Sequence, residues 1–410
     1  RLGGRVRKQD QTALRTLLLC QGVLIAGLAL SFPFMTLYLH QRRGLPMGTT
    51  GLAVSLSMAV AAAGQGLGGE LSDLWGCKLV MIASLAGRVT LTALMAWAVV
   101  SAWPVSVVVG LLVGAGFIGG WYDPAVRAWI AQEHPAGGRV RAYGLLRAAI
   151  DAAWAVGPAV GGLMAATSYA LMFSVTSAIC LLCLVLLVWV VPDAPAARAA
   201  EGFDWGALAS ARRDGRFLDF CVLTVAISTV MSQLVAPLSV HAIAHGGLSE
   251  PQVGLLFGLN GTMVVLFQSS AARVISARTL SGAAAMGCLL YALGFSGVGF
   301  ARGAPAFAVA MAVVTLGEIV VSPSLQTLAA NLAPDRLRGR YIGFHGLMGQ
   351  LGMALGPLLG GLGQEHLGGR WIPAPWLAAG ALAAISGWGF SRLGRRLGPA
   401  EQGLDPLEVS

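Results

Sequence analysis

The chain is predicted to be an all-α membrane protein of twelve spanning helices in two related six-helix halves. Three observations carry this. Of 410 residues, 56% are hydrophobic and only 11% are charged, with a mean hydropathy of +0.73, too few charges to coat a soluble surface of this size. Twelve apolar runs have the roughly 20-residue length that crosses a bilayer. Finally, the stretch Arg139-Val-Arg-Ala-Tyr-Gly144, leading to Gly157-Pro158-Ala-Val-Gly161-Gly162, returns 199 residues later as Arg338-Gly-Arg-Tyr-Ile-Gly343, leading to Gly356-Pro357-Leu-Leu-Gly360-Gly361. The register holds without a gap, and Pro124 and Pro135 align with Pro323 and Pro334. In a membrane chain such a repeat marks a transporter whose halves rock about a central site.

The spans are expected near 12–39, 49–69, 79–102, 104–131, 141–167 and 170–191, then 217–244, 251–275, 280–301, 304–330, 340–363 and 372–391. The first is too long for a cleavable signal and has no small-residue cleavage site, so it reads as a span. Residues 192–215 hold Asp193, Arg198, Glu201, Asp204, Arg212 and Arg213 and form the one long polar connection. The expected organisation is therefore an N-terminal half (1–191), a cytoplasmic linker (192–215) and a C-terminal half (216–410).

Charge sets the orientation. With both termini in the cytoplasm, about 21 of the 27 Lys and Arg fall on cytoplasmic segments, as the positive-inside rule requires. The net charge of +9 is then a matter of topology. It implies no nucleic acid, because the basic residues are spread over every inner loop and form no patch with interleaved aromatics. Arg outnumbers Lys 25 to 2 amid abundant Ala and Gly, the codon bias of a GC-rich bacterial genome, so the expected location is a bacterial cytoplasmic (inner) membrane. The expected partners are a small-molecule substrate, protons and the lipid bilayer, and the expected state is a monomer.

Six cysteines lie in or beside spans, and Cys180 and Cys183 read as small apolar residues on a lipid-facing helix. No metal set accompanies them, and no cofactor is expected. The histidines His40, His241, His245 and His366 are expected at the outer surface, and Trp97, Trp103, Trp371 and Trp376 at the interfaces. Glycines at small-xxx-small spacing bring helix backbones together where lipid gives little hydrophobic drive. The Gly-Pro pairs Gly157-Pro158 and Gly356-Pro357 add a missing N–H and a flexible neighbour, which lets a helix bend.

The segment Gly69-Glu-Leu-Ser-Asp73-Leu-Trp-Gly76-Cys-Lys78 resembles the G-x-x-x-D-[RK]-x-G-x-[RK] signature of the major facilitator superfamily. Gly144, Ala153, Gly157, Pro158, Gly161 and Gly162 resemble motif C of its drug/proton antiporter branch. The resemblance covers essentially the whole chain and implies the major facilitator fold and export. Leu74 stands where the family has a basic residue, and Ala153 where it has a glycine. On physical grounds Gly69 and Gly76 allow a tight reversal, and Asp73 can accept hydrogen bonds from a cation or a helix N-terminus as a gating latch. Arg127 is the expected partner.

Charges within spans are costly and persist where they face a cavity or a partner. Asp151, Glu318 and Arg88 lie near mid-span, with Arg147 one turn from Asp151. These four are the candidate proton-coupling and substrate residues, since desolvated carboxylates can exchange protons near neutral pH. The alternative for Arg147 and Asp151 is a structural i, i+4 ion pair. Acids in spans five and ten also resemble the arrangement of many drug/proton antiporters. Asp123 is expected to gate or to pair with Arg127. Gln21, Gln233, Asn260 and Gln350 are candidate substrate contacts, with helix-to-helix bonding as the alternative.

No H-E-x-x-H, P-loop or nucleophile elbow occurs, so an enzyme is not expected and transport must draw on a gradient. The leading expectation is a proton-coupled antiporter exporting amphipathic small molecules by alternating access. An importer or facilitator of a polar metabolite is the alternative within transport. A non-transporting receptor is disfavoured by the cost of its buried acids.

Overall fold

The computed structural model describes residues 2–133, 136–192, 214–276, 278–334 and 337–404, so most of the expected linker lies outside the described residues. Among the described residues everything regular is helical. The helices are α1 (Leu2–Leu37), α2 (Met47–Trp75), α3 (Cys77–Val100), α4 (Val105–Gly120), α5 (Tyr122–Glu133), α6 (Ala136–Thr167) and α7 (Tyr169–Val190), followed by α8 (Gly215–Met231), α9 (Pro237–Ala244), α10 (Glu250–Ser276), α11 (Leu280–Phe300), α12 (Gly303–Leu332), α13 (Arg338–His366) and α14 (Ala374–Gly394). Among the described residues, eleven segments are long and apolar enough to cross a membrane. Large apolar side chains remain exposed on them, for example Leu19, Trp97, Val100, Trp189 and Val222, as surfaces meant for lipid tails require.

Local chemistry explains the element ends. Ser168, Asp214 and Thr279 cap α7, α8 and α11 by accepting from backbone N–H groups of the first turn. The expected single span at 104–131 breaks at Trp121. Pro124 sits three residues further on and cannot donate to Gly120, so the helix restarts as α5. Its repeat partner Pro323 is absorbed inside α12 without a break. The expected span 217–244 is likewise interrupted, by a 3₁₀ turn at Ser232–Leu234 ahead of Pro237. At the end of α1 a π turn, Tyr38–Arg42, follows. The expected reversal around Gly69 and Gly76 needs correction. The α2 helix runs through Gly69 to Trp75, and Gly76 alone turns the chain, with φ of +87°, a value that costs glycine little.

The chain divides into two compact units. The first holds residues 1–44, 56–202 and 249–261, and the second 45–55, 203–248 and 262–410. Thus α2 and α10 each contribute to both.

In the first unit α1 packs on α6 and α7, while α3 packs on α7, α4 and α5. Leu17, Leu24, Met81, Leu85, Tyr122 and Trp129 fill its core. Cys180 and Cys183 belong to that core and do not face lipid, and Cys183 donates to the Cys20 carbonyl at 3.6 Å. All six cysteines are buried free thiols.

In the second unit α8 packs on α13 and α14, and α11 packs on α14 and α12. Under the 199-residue offset these are the same pairings as in the first unit. Phe217, Phe220, Tyr341, Phe344 and Phe390 make one aromatic cluster. Trp376 is buried against Phe295 and His241 instead of anchoring an interface.

Candidate functional site

In the first unit the polar residues fall into separate groups. Asp123, at the start of α5, accepts from Arg127 Nε at 2.7 Å and from Gln21 Nε2 of α1 at 3.5 Å. Arg127 is therefore engaged one turn along its own helix and is not the partner of Asp73. An i, i+4 pair restrains fewer side-chain torsions than a reach across helices. Asp73 is half-buried and makes no hydrogen bond or ion pair among the described residues, and Lys78 is half-buried at the first turn of α3.

On α6, Arg147 Nε lies 3.0 Å from the Asp151 carboxylate; Asp151 is 13% exposed and Arg147 61%. The acid is sunk while its cation reaches outward, a geometry in which solvent or a ligand can compete for Arg147. Arg88 joins neither group. Its guanidinium fills the space before Gly119, where even a methyl group would collide with it. Its buried Nε has no hydrogen-bond partner among the described residues. It sits by the last turn of α4, where the free carbonyls of a helix end attract a cation. Asn260 is half-buried on the part of α10 that belongs to this unit.

The Gly-Pro motif of α6 is a packing surface. Gly157 lies on Ala26 and Ala29 of α1, Gly161 on the Leu30 carbonyl, and Gly162 on Glu250 and Gly254 of α10. Gly144 has open space around it.

The second unit repeats this surface. On α13, Gly356 lies on Thr229 and Ser232, Gly360 on Gln233 and Pro237, and Gly361 on Met47 and Gly51 of α2. Pro357 leaves the local helix ladder short of a donor, and the next residue, Leu358, donates its N–H to Ser55 Oγ at 2.9 Å. Gln233, expected as a substrate contact, is buried and donates to the carbonyls of Thr229 (3.0 Å) and Gly356 (2.9 Å). Its amide hydrogens are spent on joining α8 to α13. Gln350 is exposed on α13.

Glu318 lies half-buried in the middle of α12, beside α11. The preceding residue, Gly317, approaches so closely that a Cβ there would stand 3.2 Å from the Tyr291 ring.

Sequence reasoning missed His345. It lies half-buried on α13, stacked on Phe220 with ring centroids 5.0 Å apart. A lone ionisable side chain inside an apolar span was the available signal. The expected surface histidine His241 is buried and stacks on His245 at 5.2 Å. Beyond the end of that span, partial burial and then the Arg302 cation hold the His245 imidazole below its usual range.

A model of the Major Facilitator Superfamily matches residues 17–357 and, again, 247–405. The uncharacterized MFS-type transporter YttB of Bacillus subtilis (strain 168) is 28% identical over 363 residues, covering 87% of this chain and 90% of that protein. The multidrug resistance protein MdtH of Yersinia pestis (strain Pestoides F) is 25% identical, covering 90% and 92%. Among solved structures, a POT family transporter in complex with 5-aminolevulinic acid superposes with a TM-score of 0.78 at 11% identity, covering 93% of this chain and 96% of that one. The nucleoside transporter NupG does so with a TM-score of 0.78 at 13% identity, covering 93% and 99%. At such identities these two show the shared fold alone. Helices built to cross a membrane, a repeated Gly-Pro packing surface and a family match across most of the sequence lead to one conclusion: this chain is a multi-pass membrane transporter of the Major Facilitator Superfamily.

Proposed function

We propose that the protein is a proton-coupled antiporter that exports amphipathic small molecules from a bacterial cytoplasm by alternating access, with twelve spans and both ends inside. The observation that carries this reading is Glu318, a carboxylate kept half-buried in the middle of a 30-residue apolar helix. Its cost there makes sense if it binds and releases a proton as the protein changes state. Asp151 is the second candidate acid, with Arg147 as its releasable counter-ion. The motif C glycines and the multidrug resistance name carried by MdtH support export of drug-like compounds.

In inside-out proteoliposomes an acidic lumen should drive accumulation of a transported compound, found by screening a mixed panel of cationic and neutral drugs. Glu318→Gln keeps shape and most hydrogen bonding but cannot titrate. It should still exchange substrate across the membrane yet fail to concentrate it, because a site fixed in one protonation state cannot pass the energy of a pH gradient to a conformational equilibrium. A well-folded Glu318→Gln protein with wild-type accumulation would falsify the coupling role.

A further inference from the structure

Within the second unit, a cavity of about 150 Å³ opens between α8, α11, α12 and α13. Its polar lining is Thr224 and Ser228 from α8, Tyr291 from α11, Ser322 and Gln326 from α12, and His345 from α13. None of these is a fixed charge, and the two that titrate are His345 and Tyr291. Both leave a buried polar atom without a hydrogen-bond partner among the described residues: Nε2 of His345 and the hydroxyl of Tyr291. Leaving such an atom unsatisfied costs about 1–3 kcal/mol, and native proteins avoid that cost by holding ordered water where a cavity is roomy and polar. This cavity has space for several waters.

Glu318 stands next to it. On α12, Glu318, Ser322 and Leu325 follow one another at i, i+4 and i+7, so they share one helix face, and Ser322 and Leu325 line the cavity. Gly317, the residue before Glu318, permits the close approach of the Tyr291 ring to α12. His345, by contrast, has its ring plane fixed by the stack on Phe220, at 15° between planes.

We propose that this cavity is a hydrated proton relay serving Glu318, with His345 as its entry and Tyr291 as its last hydroxyl. The proposal rests on the coupling role given to Glu318 above. Protonated His345 gives its Nε2 proton to a cavity water. The water passes a proton to the Tyr291 oxygen as the Tyr291 hydroxyl gives its own proton to a second water, which protonates the Glu318 carboxylate. The net change is one proton moved: the imidazole becomes neutral, the carboxylate becomes a carboxylic acid, and water and phenol end as they began. Release runs the same steps backwards. Imidazole suits the entry position because it can take a proton at one ring nitrogen and give one up at the other.

A relay sets the rate at which Glu318 protonates and leaves the final extent unchanged, and this separates it from a structural role. Purified full-length protein in lipid nanodiscs is taken through a pH jump, and the carboxylic-acid C=O band of Glu318, identified by its absence in Glu318→Gln, is followed by time-resolved infrared spectroscopy. No transported compound is needed. His345→Gln, which hydrogen-bonds but cannot carry a proton at these pH values, and Tyr291→Phe, which keeps the ring, should each slow the rise of the band about tenfold or more. Its final amplitude and the melting temperature should stay near wild type. A wild-type rise in either variant overturns the relay while leaving the coupling role intact. Loss of amplitude together with melting temperature in both variants overturns it in favour of a structural role. If the wild type shows no Glu318 band between about pH 5 and 9, the coupling role itself fails, and the relay with it.

Discussion

Gly144 and Gly161 belong to one sequence motif and sit on one helix, yet their surroundings are opposite. A side chain at Gly161 would drive into the Leu30 carbonyl of α1, whereas at Gly144 no atom of another element lies within 4 Å. The same substitution should therefore have opposite signs. Gly161→Ala forces α1 and α6 apart and should cost about 1–3 kcal/mol, the usual range for overpacking. Gly144→Ala meets nothing and reduces the freedom of the unfolded chain, for a gain of about 0.5–1 kcal/mol. Melting of the two purified variants checks this, and a lower melting temperature for Gly144→Ala would show that its open surroundings are filled in the working protein. The motif thus contains glycines present for close approach and others that packing does not require, which a pattern of letters does not distinguish.

Gln233 shows the same ambiguity at the scale of an element. A buried amide in a span can hold either a substrate or a neighbouring helix, and here it joins the 3₁₀ turn after α8 to the Gly356 carbonyl beside Pro357. Gln233→Leu keeps the volume but removes both hydrogen bonds, one of them between helices, so stability should fall by about 1–3 kcal/mol with substrate affinity little changed. A weakened affinity at unchanged melting temperature would return Gln233 to the binding site. The long helices were legible beforehand because twenty apolar residues in a row admit few other structures, and the Gly-Pro repeat marked where two of them meet others. The breaks at Trp121 and at Ser232–Leu234 were not legible. They depend on whether the surrounding packing tolerates a proline, and Pro124 and Pro323 occupy equivalent repeat positions with different outcomes. Partner choice was equally hidden: Arg127 could have served Asp73 or Asp123, and only placement in space brings it to Asp123. His345 was within reach of the rule that flagged Glu318 and Asp151 but was passed over, since histidine counts as uncharged in a charge tally.

For the whole molecule, the number of crossings turns on α14. Eleven segments qualify as spans by length and apolarity, and α14, rich in Ala, Gly and Ser, is not among them. Its 21 residues nonetheless rise about 31 Å at 1.5 Å each, enough for a hydrocarbon core of about 30 Å. Ile385 and Trp388 project from it, 62% and 63% exposed, and Arg392 lies over the Trp388 ring at 5.2 Å, an arrangement suited to a helix end at the lipid headgroups. If α14 crosses, Arg370 before it and Ala400 after it lie on opposite sides of the membrane, and the positive-inside rule puts Ala400, which follows Arg392, Arg395 and Arg396, in the cytoplasm. Both positions are exposed, and the native cysteines are buried, so single cysteines introduced there can be read against a low background. A membrane-impermeant maleimide applied to intact cells should label Arg370→Cys at once and Ala400→Cys only after the membrane is opened. Labelling of both from outside, or of neither, would place the two on one side and leave eleven crossings with the termini apart. Labelling of Ala400→Cys alone would keep the crossing and reverse the orientation, which would make the charge bias of this chain an exception to the rule that predicts it.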